Sequence, residues 1–255
     1  MAPISHCFGK SAKVNPQPPL MDLRLVSYNV NGLPWNFTPI HSIVAWIVQN
    51  SNLAAIQEIW INHAEWSTAF ASHGWSFLRP SREHHFATLF GSGLAFAWPT
   101  GRWRLQDARQ YPFLDRTFVD MFATKSWFQL ELVDSLSDRP FRLINTHMQS
   151  DIDCIERFTH PHIHNVRLRQ SRQLVASLKH QEKKPTLIVG DINTERCPFV
   201  SYSFLQKDTR PTYPIISRIL DHCVSLPEDE WILREHRVAD VDWSDHRPVL
   251  WNLSL

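Results

Sequence analysis

Short apolar runs recur along the chain, at Leu23 to Val30, Ala54 to Ile59, Gly93 to Ala97, Ser126 to Val133, Phe141 to Thr146, Thr186 to Val189 and Pro248 to Leu253. Their length and their β-branched and aromatic content predict strands. Between them, 38–50 and 166–179 carry apolar residues at helical spacing, with Ile43 and Ile47 on one stripe and Leu174, Val175 and Leu178 on the other. Thr38 and Pro39 read as a helix cap and first helical position. Strands outnumber helices and no repeat is visible, a pattern that a two-layer sheet core with outer helices accommodates.

With 255 residues, 43% of them hydrophobic, the chain can bury one sizeable core, which fits one large domain. Residues 1–21, rich in proline and polar side chains, read as a flexible lead-in to a domain over 22–255. A formal net charge of +1 gives no bulk electrostatic case for a nucleic-acid or membrane partner, so any such partner must meet a local patch. Cys7, Cys154, Cys197 and Cys223 are scattered without zinc-like spacing, which predicts free thiols in a reducing compartment. The first twenty residues lack an apolar signal core, and no stretch approaches the ~20 apolar residues of a membrane span. The expectation is an intracellular, soluble protein with no transmembrane segment; its oligomeric state is not legible.

Eleven tryptophans against seven glycines point to a core filled with large aromatic rings. The stretch Trp98 to Trp103 reads as a turn flanked by two indoles, a hairpin tip that either packs across its strand pair or touches a membrane or a base.

Polar residues suited to a hard cation fall at the ends of the apolar runs: Asn29, Glu58, His147, Asp191, Asn193, Asp245 and His246. Oxygen donors dominate, and such a shell with room for water and phosphate suits magnesium or manganese better than zinc. Any one of them alone is explained as a strand-end turn residue. Together and in this order, Ser27-Tyr28-Asn29, Ile56-Gln57-Glu58, Asn145-Thr146-His147, Gly190-Asp191-Ile192-Asn193 and Ser244-Asp245-His246 resemble the signature motifs of the endonuclease/exonuclease/phosphatase superfamily, from about Leu23 to Val249. The resemblance implies a four-layer α/β/β/α sandwich of two packed mixed sheets with the site at one rim. It implies Glu58 as principal metal ligand with Asn29 beside it and Asp245 assisting, and His246 as general base. It implies Asp191 as the carboxylate that orients the nucleophile, Asn193 as the amide that steadies the phosphate, and His147 against the phosphate or leaving oxygen. Leu220-Asp221-His222 is similar to the family's Leu-Asp-Tyr segment, which would set Asp221 behind His246, although His222 replaces the usual aromatic. Asn31 stands where many nucleases of the family carry an acid.

The expected reaction is metal-dependent hydrolysis of a phosphodiester by histidine-activated water. Thr146-His147-Met148-Gln149, Val166-Arg167 with Gln170, Ser92-Gly93-Leu94 and the segment ending in Lys125 resemble sphingomyelinases and lean towards a phospholipid head group with peripheral membrane contact. The alternative is a DNA or RNA endonuclease using a patch of Arg102, Arg104 and Arg109, or one of Arg167, Arg169, Arg172 and Lys179, a set that helical geometry spreads over more than one face. A catalytically silent binding scaffold is the outlying case. His84, His85, Glu65, His160, His162 and His164 read as polar loop and not as a second metal site.

Overall fold

In a computed structural model of the chain, the described residues are 20–33, 36–80, 91–115, 123–150, 156–226, 228–229 and 231–255, with the backbone alone for 156–161. Chain order is β1 (Asp22–Asn29), α1 (Ile40–Asn50), β2 (Leu53–Gln57), α2 (His63–Ser72), β3 (Trp75–Leu78), β4 (Ala95–Pro99), β5 (Trp103–Pro112), β6 (Ser126–Asp134), β7 (Pro140–His147), α3 (Glu156–Lys179), β8 (Thr186–Asp191), β9 (Ser203–Phe204), β10 (Asp221–Ser225), β11 (Ile232–Val238) and β12 (Val249–Ser254). They form two six-stranded mixed sheets, ordered β11-β12-β1-β2-β4-β3 and β5-β6-β7-β8-β10-β9. Each sheet has one parallel pair at its centre, β1/β2 in the first and β7/β8 in the second, flanked on both sides by antiparallel strands. Parallel neighbours need a crossover, supplied by α1 and α3 respectively.

Period-two alternation builds the layers. On β1, Leu23 and Leu25 face the second sheet while Val26 and Tyr28 face α1 and α2, where Ile43, Ile47, Trp66 and Phe70 cover them. On β8, Leu187 and Val189 face the first sheet while Ile188 packs with Leu174 of α3. Three apolar cores between four layers follow, the α/β sandwich that the sequence predicts. Met21, at the end of the expected lead-in, is fully buried and exchanges backbone hydrogen bonds with Leu255; residues 1–19 lie outside the described ones.

Several local expectations change. Pro39 takes the cap position of α1, and the Thr38 side chain makes no cap bond; instead the Thr38 carbonyl accepts from Ile40 N. The Trp98–Trp103 turn is no hairpin tip, because β4 and β5 belong to different sheets. Both indoles are buried between the sheets, and Trp103 Nε1 donates to the Asn52 carbonyl at 2.7 Å, so neither can touch a membrane or a base. His162 and His164 are exposed residues of α3 and not of a loop; His84, His85 and the His160 side chain lie outside the described residues. Glu65 has His41 at 3.8 Å, both exposed. Cys197 and Cys223 are free thiols, while Cys7 and Cys154 fall outside the described residues.

Candidate active site

The inner faces of the central strands change character along their length. Leu23 and Leu25 give way to Ser27 and Asn29, Leu53 and Ala55 to Gln57, Phe141 and Leu143 to Asn145 and His147, and Leu187 and Val189 to Asp191. The first polar layer stitches the sheets together. Gln57 Nε2 donates to Ser27 Oγ at 3.1 Å and to Asn145 Oδ1 at 2.8 Å, and Asn145 Nδ2 donates to the carbonyls of Ile56 and Ala95, each at 2.9 Å. Buried amides satisfied in this way fix how the sheets register on each other.

One step further along lies the site, beyond the carboxyl ends of both parallel pairs, the place where open α/β sheets present ligand-binding residues. Asn29 is in register with Gln57 and His147 with Asp191, while Asp221 on β10 is in register with Asp191. Gly190 makes the β7/β8 approach possible: a Cβ there would lie 2.0 Å from the Thr146 carbonyl oxygen. Glu58, just past β2, has φ 62°, an unusual conformation for glutamate, and its carbonyl accepts from Gly32 N and Trp60 N. The side chain is thereby turned back towards Asn29.

The contacts are close. Asn29 Nδ2 donates to Glu58 Oε1 at 2.9 Å and to Asp191 Oδ2 at 3.1 Å, bridging the two sheets. His246 Nδ1 lies 2.7 Å from Asp221 Oδ2, and its Nε2 faces Asp191 Oδ2 at 3.6 Å. Asn193 N donates to Asp191 Oδ1 at 2.9 Å and its side chain to the Met148 carbonyl at 3.2 Å. His147 Nε2 stands 3.5 Å from Asp191 Oδ2 and 3.7 Å from Glu58 Oε1. Ser244 holds the His246 loop, donating to the Asn29 carbonyl at 2.8 Å and accepting from His246 N at 3.2 Å. Asp245 is half-buried and lies within hydrogen-bond reach of Ser244 Oγ, 3.1 Å away. The open side is a cleft of about 100 Å³ walled by Glu58, His147, Asp191, Asn193, Tyr213 and Arg218.

Burial sets the protons. Burial lowers His147 well below the ordinary histidine value, and Lys125 adds to the effect. The imidazole is therefore neutral, and with Lys125 Nζ at 2.8 Å its Nε2 is the acceptor. Burial also pushes Asp191 up, to about 7; His246 pulls it down and Asp221 pushes it up. Burial by itself lowers His246, but the carboxylates of Asp221 and Asp191 outweigh it and raise the imidazole to about 10. The two acidic neighbours thus favour the protonated form of His246.

Two donor sets compete for a cation. The ligand atoms of Asp191, Asp221 and His246 lie within 4.8 Å of one another, a buried group able to hold a metal. A metal there would have to replace the 2.7 Å Asp221–His246 hydrogen bond and take a nitrogen ligand, which hard cations disfavour. Glu58 and Asp191 present a second set, two carboxylates that converge on the Asn29 amide with Glu58 open to the cleft. That set fits magnesium or manganese, and it leaves the Asp221–His246 pair intact.

Glu58, Asn29, Asp191, Asn193, His147, Asp221 and His246, expected from the sequence, all converge here. Asp245 adjoins them through Ser244. Lys125, Tyr213 and Thr212 were not singled out as site residues. Tyr213 packs its ring 4.8 Å from His246, and Thr212 Oγ1 accepts from the backbones of Leu220 and Asp221. Lys125 closes a segment already similar to sphingomyelinases, which was its only signal. The first candidate nucleic-acid patch is neutralised: Arg102 pairs with Asp134, Arg104 with Asp138 at 2.7 Å and Arg109 with Asp107 at 2.6 Å. On α3, Arg169 pairs with Asp115 at 2.9 Å.

A scan of the sequence against protein-family models matches none, and a search of curated proteins finds no match. Solved structures do match. D. rerio TDP2 complexed with a single-strand DNA product aligns with TM-score 0.70 at 12% identity, over 91% of this chain and 98% of that one. An endonuclease/exonuclease/phosphatase family protein from Bacteroides thetaiotaomicron aligns with TM-score 0.68 at 14% identity, over 92% and 98%. Beta toxin 275-280 from Staphylococcus aureus aligns with TM-score 0.69 at 16% identity, over 90% and 99%. The fold is the endonuclease/exonuclease/phosphatase sandwich.

Proposed function

We propose that this chain is a divalent-metal-dependent phosphodiesterase. The observation that carries the reading is the Asn29 amide bridging Glu58 and Asp191 beside a buried Asp221–His246 pair. Glu58 and Asn29, with Asp245 assisting, would hold Mg²⁺ or Mn²⁺. A cation there would supply charge to the anionic phosphate oxygens and would lower His246 towards the neutral form that a general base needs. His246 then takes the proton of the attacking water at Nε2, while Asp221 fixes its tautomer at Nδ1 and stabilises the imidazolium formed. Asp191, whose side chain faces His246 Nε2, orients the water, and Asn193 steadies the phosphate. Neutral His147, with Lys125 behind it, faces the phosphate or leaving oxygen.

The substrate class is a separate matter. Two of the segments that lean towards sphingomyelinases meet in the structure: Gln149 N donates to Gln170 Oε1 at 3.0 Å, tying the end of β7 to α3. That is a structural service any substrate branch can use, so the lipid reading rests on the remaining segments. Among the described residues no helix is long and apolar enough to cross a membrane. A nucleic-acid phosphodiester remains the second reading, favoured by the arginines beside the site. Magnesium-dependent hydrolysis of bis(p-nitrophenyl) phosphate by wild-type protein, abolished in His246→Ala of unchanged melting temperature, supports the mechanism. A His246→Ala protein with wild-type rate removes that residue from it.

A further inference from the structure

Asp221 and His246 meet at 2.7 Å although they come from separate parts of the chain, Asp221 at the start of β10 and His246 in the loop before β12. Their meeting depends on what holds each backbone. Beyond β10, β9 reaches only Val224 and Ser225, so at its first residue the strand has β8 on one side and the Thr212 side chain as the acceptor for its free N–H. Thr212 Oγ1 accepts from Leu220 N at 2.9 Å and from Asp221 N at 3.1 Å. The Thr212 carbonyl accepts from the backbone of Arg247, the residue after His246, at 2.7 Å. Thr212 is fully buried, so solvent does not compete for these bonds. One residue thus grips the backbone of both partners. The bracket extends to the end of β8, where Ile192 N, next to Asp191, donates to the Leu220 carbonyl at 2.9 Å. Tyr213, which follows, lays its ring against His246 with centroids 4.8 Å apart.

A buried threonine that only filled space could be a valine, which has the same branched shape and no oxygen. We propose that Thr212 is the positioning residue of the Asp221–His246 pair, its hydroxyl setting the backbone of the acid and its carbonyl the backbone behind the imidazole. The inference rests on the proposed roles of that pair as general base and orienting carboxylate. Thr212 touches no reacting atom and acts only through the two residues it holds. Placement matters at this scale, because a shift of about 1 Å at a catalytic group costs about 10²-fold in rate. Loss of the hydroxyl would leave two buried N–H groups without their acceptor, and the start of β10 would move to satisfy them.

Two variants separate positioning from packing: Thr212→Val removes the oxygen and keeps the shape, and Thr212→Ser keeps the oxygen. The first readout is the downfield proton resonance of His246 Nδ1–H in its bond to Asp221, identified by its absence in His246→Ala and recorded without metal or substrate. The second is kcat against KM on bis(p-nitrophenyl) phosphate. In Thr212→Val the resonance should vanish or move clearly upfield, with kcat lower by about tenfold or more and KM within about twofold of wild type. Thr212→Ser should recover the resonance and most of the rate. A Thr212→Val protein that melts earlier but keeps the wild-type resonance and kcat confines Thr212 to stability and overturns the proposal. So does a Thr212→Ser protein that loses the resonance. Should Thr212→Val fail to fold, Thr212→Ala carries the same comparison with Thr212→Ser. The resonance is read without turnover. A protein that shows the expected resonances yet hydrolyses no diester retains the positioning and loses the proposed function.

Discussion

Glu58 and Asp191 occupy equivalent places in the two sheets, each at the end of the second strand of a central parallel pair, and they are chemically unlike. The Glu58 side chain is 18% exposed and opens on the cleft, held at φ 62° just beyond its strand. Asp191 is still within its strand, 2% exposed, and carries a raised pKa among Asn29, Asn193 and two histidines. One residue of difference in where a strand stops separates a carboxylate that opens on the cleft from one that is held buried among two histidines. The same topological device, used twice, thus brings two unlike carboxylates to one rim.

That contrast breaks most completely at Gly190. A Cβ 2.0 Å from a backbone oxygen cannot be absorbed, so Gly190→Ala should part β7 from β8 at a cost of ~4 kcal/mol or more, seen as loss of soluble protein or a large fall in melting temperature. An alanine variant that melts with wild type would show that the strands have slack. Next comes His246→Ala, expected to lower kcat by about 10²- to 10⁴-fold with the fold intact.

Metal binding sharpens the comparison. Glu58→Gln should weaken Mn²⁺ affinity by about 10- to 100-fold, the scale on which even supporting groups of metal sites act, and Asp191→Asn should weaken it less while slowing turnover. Mn²⁺ titration followed by electron paramagnetic resonance decides; the reverse order would place the ion in the Asp191, Asp221 and His246 group. Histidine NMR gives an independent reading. His246 in the metal-free protein should titrate far above the ordinary 6.5 and move down when Mg²⁺ is added.

The smallest effect concerns stability. His222 in the second sheet and His236 in the first are each lowered to about 4 by burial. Their folded values lie below the unfolded one, so the unfolded chain binds more protons between pH 6.5 and 4. Both therefore stabilise the fold above pH 6.5, and the contribution is lost as pH falls towards 4, at up to about 1.4 kcal/mol per pH unit for each proton. Thermal melts in which His222→Gln and His236→Gln each flatten that slope would confirm it; an unchanged slope would not.

The central strands were legible because their apolar runs stop where the inner face turns polar, which is also why Asn29, Glu58, His147 and Asp191 stood out. Strands β5 and β11 were not. As sheet edges they alternate arginine, glutamine and glutamate and bury one face thinly, so they carry no apolar run. The Trp98–Trp103 turn misled because a tight turn between aromatic residues looks alike whether the next strand pairs with the last or crosses to the other sheet. Gln57 and Asn145 matter through contacts between sheets, and no local periodicity encodes which sheet lies opposite; Lys125 matters through His147, a neighbour on the adjoining strand of its own sheet.

The central claim is that Glu58 seats the cation on which hydrolysis depends. Magnesium-dependent cleavage by wild type and Glu58→Ala, measured in parallel on sphingomyelin micelles, plasmid DNA and bis(p-nitrophenyl) phosphate, tests it most directly. The account predicts magnesium-dependent cleavage of at least one of these by wild type and its loss in the variant. Cleavage that persists at wild-type rate in Glu58→Ala, or that wild type shows equally in excess chelator, would contradict it.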